Sequence, residues 1–218
     1  MSSFVSGKGA SESGSSTSPS LSFQVVISGI KKMYPAVRNI STAEVEELLR
    51  SEEAKSGLVV VDARPEAEYN VSHIPSAVRI DPGNQNMNDV KKIIQDQLIK
   101  DDPATCTLDS KPIQVVMYCS VGYRSSALAN RLRQALKAEK DKTDTATNHQ
   151  ISQPAEPCKE KCPRIRVFNM EGCLFKWANE GRQMVDGRGN ITEFVHPYSI
   201  MWGQLISKDI RRWEGPRM

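Results

Sequence analysis

Val115-Val116-Met117-Tyr118-Cys119-Ser120-Val121-Gly122-Tyr123-Arg124-Ser125-Ser126 is the stretch that decides the fold. It opens as an apolar strand and passes through a short loop that begins with Cys and closes with Arg. It then enters a helix marked by Ala127, Leu128, Leu132, Ala135 and Leu136. Unpaired backbone N–H groups and the positive end of the helix dipole gather where a helix starts. An anion is favoured there. A thiolate is an anion, so Cys119 is expected to ionise below the usual thiol range and to be nucleophilic. Arg124 adds a permanent positive charge at the rim. The plainer alternative is a buried Cys that ends a core strand as a small hydrophobe. Gly122, Arg124 and the helix start at these spacings argue against it.

Working outward, Leu58-Val59-Val60-Val61-Asp62 is apolar at every position until its closing acid, as in a strand covered on both faces. Shorter strands are expected at Val37–Ile40, Ala77–Ile80 and Ile165–Phe168. Helical spacing appears in Phe23, Val26, Ile27, Ile30 and Met33, which Pro35 stops, and again in Val90, Ile93, Ile94 and Leu98. Ser41-Thr42-Ala43-Glu44 has the form of a capping box at the start of another helix. A single helical turn is expected at Glu66–Tyr69, and a helix over 125–138. Glu171-Gly172-Cys173 reads as a turn before a helix carrying Leu174, Phe175, Trp177 and Ala178. Alternating strands and helices imply an α/β fold, a parallel sheet with helices on both faces. Ligands of such sheets bind outside the carboxyl ends of the strands, and Cys119 lies at one of them.

The organisation expected is a disordered Ser-rich tail over 1–20, a helix in 21–36, a domain over 37–182 and a C-terminal extension over 183–218 packed on it. Residues 139–163 are dominated by Lys, Asp, Glu, Thr, Gln and Pro and read as a mobile insertion. No apolar run is long enough to span a membrane, no secretory signal is visible, and an odd five Cys suggest no disulfide framework. These features together point to a reducing, cytoplasmic setting, with organelle import only weakly supported. A net charge of +3, with basic and acidic residues interleaved, gives no case for nucleic acid.

These segments resemble the rhodanese family of sulfurtransferases. Val59-Val60-Val61-Asp62-Ala63-Arg64 looks like its first signature. His73-Ile74-Pro75-Ser76-Ala77 looks like its second, with Ser72 and Ser76 where Gly is usual. Tyr118 to Ser125 looks like the active-site loop, and Val167 to Trp177 like the final strand with its Gly turn. The resemblance runs over about residues 37–180. It implies a three-layer α/β/α fold around a five-stranded parallel sheet of order 3-2-4-5-1. The activity implied is transfer of sulfane sulfur from thiosulfate, or a similar donor, through a persulfide on Cys119, with a thiol or cyanide as acceptor. Backbone N–H groups of Ser120, Val121, Gly122, Tyr123 and Arg124 would cradle the anionic sulfur. Val121 and Tyr123 would face the mouth and select the substrate. No metal or organic cofactor is implied, and no membrane or nucleic-acid partner. Oligomeric state stays open.

Two alternatives stand beside this. Cys-loop-Arg at a helix start also describes Cys-based phosphatases, whose loop is longer by one residue than Ser120-Val121-Gly122-Tyr123. A non-catalytic rhodanese module acting in protein interaction or regulation is the other. The sulfur-transfer reading requires amides turned towards the sulfur; amides turned outward, or a sulfur walled off from solvent, would end it. Asp62 and Arg64 are candidate accessory residues; the plainer readings are a capped turn and a salt bridge from Arg64 to Glu68. His73 is expected to be structural rather than a base. Cys173 is a candidate resolving or acceptor thiol, against the simpler reading of a small residue in a tight turn. Cys158 and Cys162 lack the second pair that a zinc site wants. Trp177, Trp202 and Trp213 are expected to pack.

Overall fold

A computed structural model describes residues 21–101, 112–147 and 165–215. Strands β1 (Arg38–Ile40), β2 (Leu58–Asp62), β3 (Val78–Arg79), β4 (Gln114–Tyr118) and β5 (Arg166–Met170) form one parallel sheet in the order β1-β5-β4-β2-β3. Read from the other edge, this is 3-2-4-5-1, the order the resemblance implies. β4 lies at the centre. Val115, Val116, Met117 and Tyr118 are all fully buried, as is nearly all of β2. The unbroken apolar runs thus follow from cover on both faces rather than on one.

Helices α1 (Leu21–Met33), α2 (Thr42–Arg50), α3 (Glu52–Lys55), α4 (Glu66–Val71), α5 (Met87–Asp101), α6 (Tyr123–Thr147) and α7 (Cys173–Asn179) fill the connections. The capping box is present: Ser41 Oγ accepts from the Glu44 amide, and Glu44 accepts from the Ser41 amide at 2.8 Å. The strand ends are drawn together by backbone bonds beyond the ladder. Ala63 N–H donates to Tyr118 O at 2.8 Å, and Glu171 N–H to Ile40 O at 2.8 Å.

Some boundaries differ from expectation. β3 has two residues rather than the four of 77–80, and β5 is shifted to Arg166–Met170, taking in the polar Asn169. α6 begins at Tyr123, inside the expected loop, and runs on to Thr147. The mobile insertion expected over 139–163 is therefore helical in its first part, and 148–163 lies outside the described residues. Polarity misled here because residues 139–142 lie exposed on a helix, and such a face needs no apolar residues. Lys91 of α5 pairs with Glu139. The Ser-rich tail at 1–20 also lies outside the described residues.

The C-terminal residues form a hairpin of β6 (Met184–Val185) and β7 (Ile191–Thr192), then a short helix α8 (Ile200–Gly203). Asp186 holds the hairpin turn by accepting from the amides of Arg188 and Asn190. His73 and Val185 exchange both backbone hydrogen bonds, at 2.8 and 2.9 Å. Val195 and Ile206 are buried in the same core as the sheet. Among the described residues no helix is long and apolar enough to cross a membrane.

Candidate active site

The carboxyl end of β4 delivers Cys119 to the junction with α6. Gly122 has φ +120°, a backbone that a side chain rarely tolerates, and this turns its N–H back onto Cys119 Sγ at 3.1 Å. Ser125, in the first turn of α6, also favours the ionised sulfur. The second wall comes from the β5–α7 turn. Leu174 N–H donates to Cys119 O and Phe175 N–H to Ser120 O, each at 3.0 Å. Cys173 (φ +51°) thereby comes to lie against the same loop, its Sγ 3.6 Å from where a Cβ on Gly122 would sit. Ser125 Oγ lies 3.5 Å from Cys173 Sγ and donates to Asn169 Oδ1 at 2.6 Å.

Burial pushes the Cys119 thiol up. The Cys173 thiol, the Arg124 charge and the bonds from Ser125 outweigh this and hold Cys119 well below the usual thiol range. Cys173 moves the other way. Burial and the neighbouring Cys119 sulfur keep it protonated well above that range. The two shifts run in opposite directions and favour the charge on Cys119 over Cys173.

Arg124 is not a free charge at the rim. Its Nη1 donates to Glu68 Oε1 at 2.6 Å, and its Nη2 to Glu68 Oε2 and Ser120 Oγ, both at 2.8 Å. Ser120 Oγ donates in turn to Glu68 Oε2 at 2.8 Å. Burial pushes the Glu68 carboxyl up, but the bonds and charge of Arg124, with the charge of Arg64, bring it below the ordinary glutamate range. The Tyr198 ring lies 4.5 Å from the Arg124 guanidinium, and the charges of Glu68 and Arg124 also reach His196. The C-terminal extension thus borders the site.

Several expectations need correction. Arg64 does not pair with Glu68. It is fully buried and binds Asp62, its Nη2 at 2.7 Å from Oδ2, and Ser72 O at 2.5 Å. Two adjacent strand-end charges buried together have no cheaper partner than each other. Asp62 and Arg64 are thus a buried brace of the β2–α4 connection and do not touch Cys119. The amide cradle is smaller than expected: Gly122, with Ser125, faces the sulfur. Val121 does not face a mouth; it is buried, in a loop whose Gly122 lies beside Ile30 of α1. Tyr123 is half exposed and meets Tyr34 edge to face. Cys119 itself is only 1% exposed, so the sulfur is closed to bulk solvent. His73 is structural: its ring stacks on Tyr69 at 3.7 Å and its backbone pairs with Val185. Cys158 and Cys162 lie outside the described residues. Among the described residues no three His, Cys, Asp or Glu side chains cluster as metal ligands would.

Glu68, Ser125, Asn169, Tyr198 and His196 were missed by sequence reasoning. Asn169 carried a signal, a polar residue inside an apolar strand, and it is satisfied by Ser125 and by Asn39, which accepts at 3.0 Å. Glu68 was visible but was assigned to the nearer Arg64 in sequence.

A family model for the rhodanese-like domain matches residues 41–180. The chain belongs to the rhodanese-like family. Solved structures similar to it include a thiosulfate sulfurtransferase from Pseudomonas aeruginosa, 15% identical, with 77% of this chain and 23% of that one covered and a TM-score of 0.43. An As-Sb reductase from Leishmania major is 15% identical over 63% of this chain and 74% of that one, TM-score 0.41. The BH2092 protein from Bacillus halodurans is 16% identical over 76% and 87%, TM-score 0.41. Curated proteins gave no match. Rhodanese-like membership fits Cys-based chemistry on the β4–α6 loop without naming a reaction.

Proposed function

We propose that this rhodanese-like protein is a sulfurtransferase that carries sulfane sulfur on Cys119. The observation that supports this most directly is the Gly122 amide aimed at Cys119 Sγ at 3.1 Å, in a loop whose charges and bonds lower the thiol's pKa. Cys119 Sγ attacks the outer sulfur of a donor such as thiosulfate. The sulfur–sulfur bond of the donor breaks, sulfite leaves with the electron pair, and Cys119 keeps the sulfur as a persulfide. A thiol or cyanide then attacks that outer sulfur and returns the Cys119 thiolate. This is covalent catalysis with a preformed donor at the charged atom.

Arg124 speaks against a phosphatase. A guanidinium that clamps a phosphoryl group offers it two parallel N–H donors. Here both Nη atoms are committed to Glu68 and Ser120. The enclosed sulfur favours the second reading, a non-catalytic module. Under the enzymatic reading, donor entry requires part of the wall over Cys119 to move. The two are separated by mixing the protein with thiosulfate and cyanide and measuring sulfite and thiocyanate. Sulfite and thiocyanate lost in Cys119→Ser carry the enzymatic reading; neither product from the wild type supports the module and ends it.

A further inference from the structure

In the transfer just described Cys173 exchanges no atom, yet it is fully buried beside the Cys119 loop, its Sγ 3.6 Å from where a Cβ on Gly122 would sit. Its position is fixed from three sides. The Leu174 amide ties the turn to Cys119 O, Cys173 Sγ lies 3.0 Å from Met170 O, and Ser125 Oγ lies 3.5 Å from Cys173 Sγ. The two thiols are not joined. The polar partners of its sulfur are a carbonyl, a hydroxyl and an amide oxygen. A serine would satisfy the same partners. The outside, by contrast, offers a bulky acceptor little access, because Cys119 is closed to solvent.

We propose that Cys173 is the resolving thiol of Cys119, an acceptor built into the fold. The inference rests on the reading of Cys119 as the sulfur-carrying nucleophile. In the resting site the Cys119 thiolate keeps Cys173 protonated. Loading changes this: the charge moves to the outer sulfur, and Cys119 Sγ becomes a neutral electrophile. Cys173 Sγ attacks Cys119 Sγ and forms the Cys119–Cys173 bond. The bond from Cys119 Sγ to the outer sulfur breaks. The outer sulfur leaves with that electron pair, takes the Cys173 proton and departs as hydrosulfide. The two protein thiols are oxidised to a disulfide and the sulfane sulfur is reduced, so the electrons balance. A dithiol, or two equivalents of a small thiol, then returns the disulfide to thiols by exchange. The protein would thus release sulfide from a sulfane donor at the expense of a thiol reductant, without an acceptor entering to meet the persulfide.

The test uses the full-length protein, reduced and then freed of reductant. In the first arm it meets thiosulfate with no acceptor, and sulfite, hydrosulfide, intact mass and peptide map are followed. The expected result is matched sulfite and hydrosulfide from the wild type, with a Cys119–Cys173 bridge in the map. Cys173→Ser is read per sulfite released, since loading itself slows when the thiol beside Cys119 is lost: each sulfite should leave one added sulfur on the protein, with hydrosulfide per sulfite reduced about tenfold or more. A wild type that releases sulfite and keeps the added sulfur overturns the proposal and leaves the sulfurtransferase reading standing. No sulfite at all sinks that reading instead, and the second arm then decides the proposal. There, one equivalent of hydrogen peroxide oxidises Cys119 to a sulfenic acid, which Cys173 displaces with loss of water. A bridge between these two residues supports the resolving role. Cys119 oxidised further while Cys173 stays a free thiol overturns it.

Discussion

Glu68→Gln removes the negative charge beneath Arg124 while keeping the size of the side chain. In the wild type the carboxylate takes two bonds from Arg124, at 2.6 and 2.8 Å, and one from Ser120 at 2.8 Å. The side chains of Glu68 and Arg124 are 5% and 17% exposed. Removing one partner from a buried ion pair costs about 3–5 kcal/mol. Arg124 keeps some contact with water, and the Gln carbonyl still accepts one bond, so the expected loss is about 2–3 kcal/mol. Urea unfolding near neutral pH measures it, as a lower midpoint at unchanged slope. A cycle with Arg124→Met isolates the pair and should show a coupling of about 2 kcal/mol. The Glu68 carboxyl titrates below the ordinary glutamate value of 4.5. Its stabilisation is therefore complete above that value and lost as pH falls through the depressed one. The gap between wild type and Glu68→Gln should accordingly narrow in acid below about pH 4.5. A variant within about 0.5 kcal/mol of the wild type, with no coupling to Arg124, would refute the reasoning. Arg124 would then not be held by Glu68.

Three further outcomes are expected. Thiolate absorbance assigned to Cys119 by difference from Cys119→Ser should persist in neutral solution, where an ordinary thiol is protonated. It should move to higher pH in Arg124→Gln, and an ordinary thiol titration in the wild type would contradict the site as described. Gly122→Ala has room for its methyl group, whose nearest neighbours lie at 3.6 Å, but not for its backbone, at φ +120°. It should cost about 1–3 kcal/mol in unfolding and raise the Cys119 titration as the amide turns away; a neutral effect on both would show that the amide is not held by this strain. Asp62→Asn leaves the Arg64 guanidinium buried without its counter-charge, both side chains being fully buried, and should lower stability by about 3–5 kcal/mol; unfolding at the wild-type midpoint would remove the brace from the account.

The site was legible where chemistry is local in sequence. Cys119, Gly122 and Arg124 belong to one strand–loop–helix unit, and the backbone demands of that unit fix the residue types at short spacing. What failed were assignments across the fold. Arg64 was given Glu68 because four residues separate them, a spacing that brings side chains together only on a continuous helix. Arg64 lies before α4, so it turned to Asp62 and left Glu68 to Arg124. Residues 139–147 read as linker because composition reports what a segment can bury, and a helix exposed as this one is at 139–142 needs little burial to form.

By itself the sequence determined the parallel α/β sheet and the thiol at the end of its central strand, because apolar runs, Gly turns and a helix start are short-range constraints. Only tertiary structure decided which charges pair and how far the sulfur is closed off. It also decided that the β5–α7 turn would set Cys173 beside Cys119. These depend on which strand ends become neighbours, and chain segments far apart in sequence meet there through hydrogen bonds that no local pattern encodes.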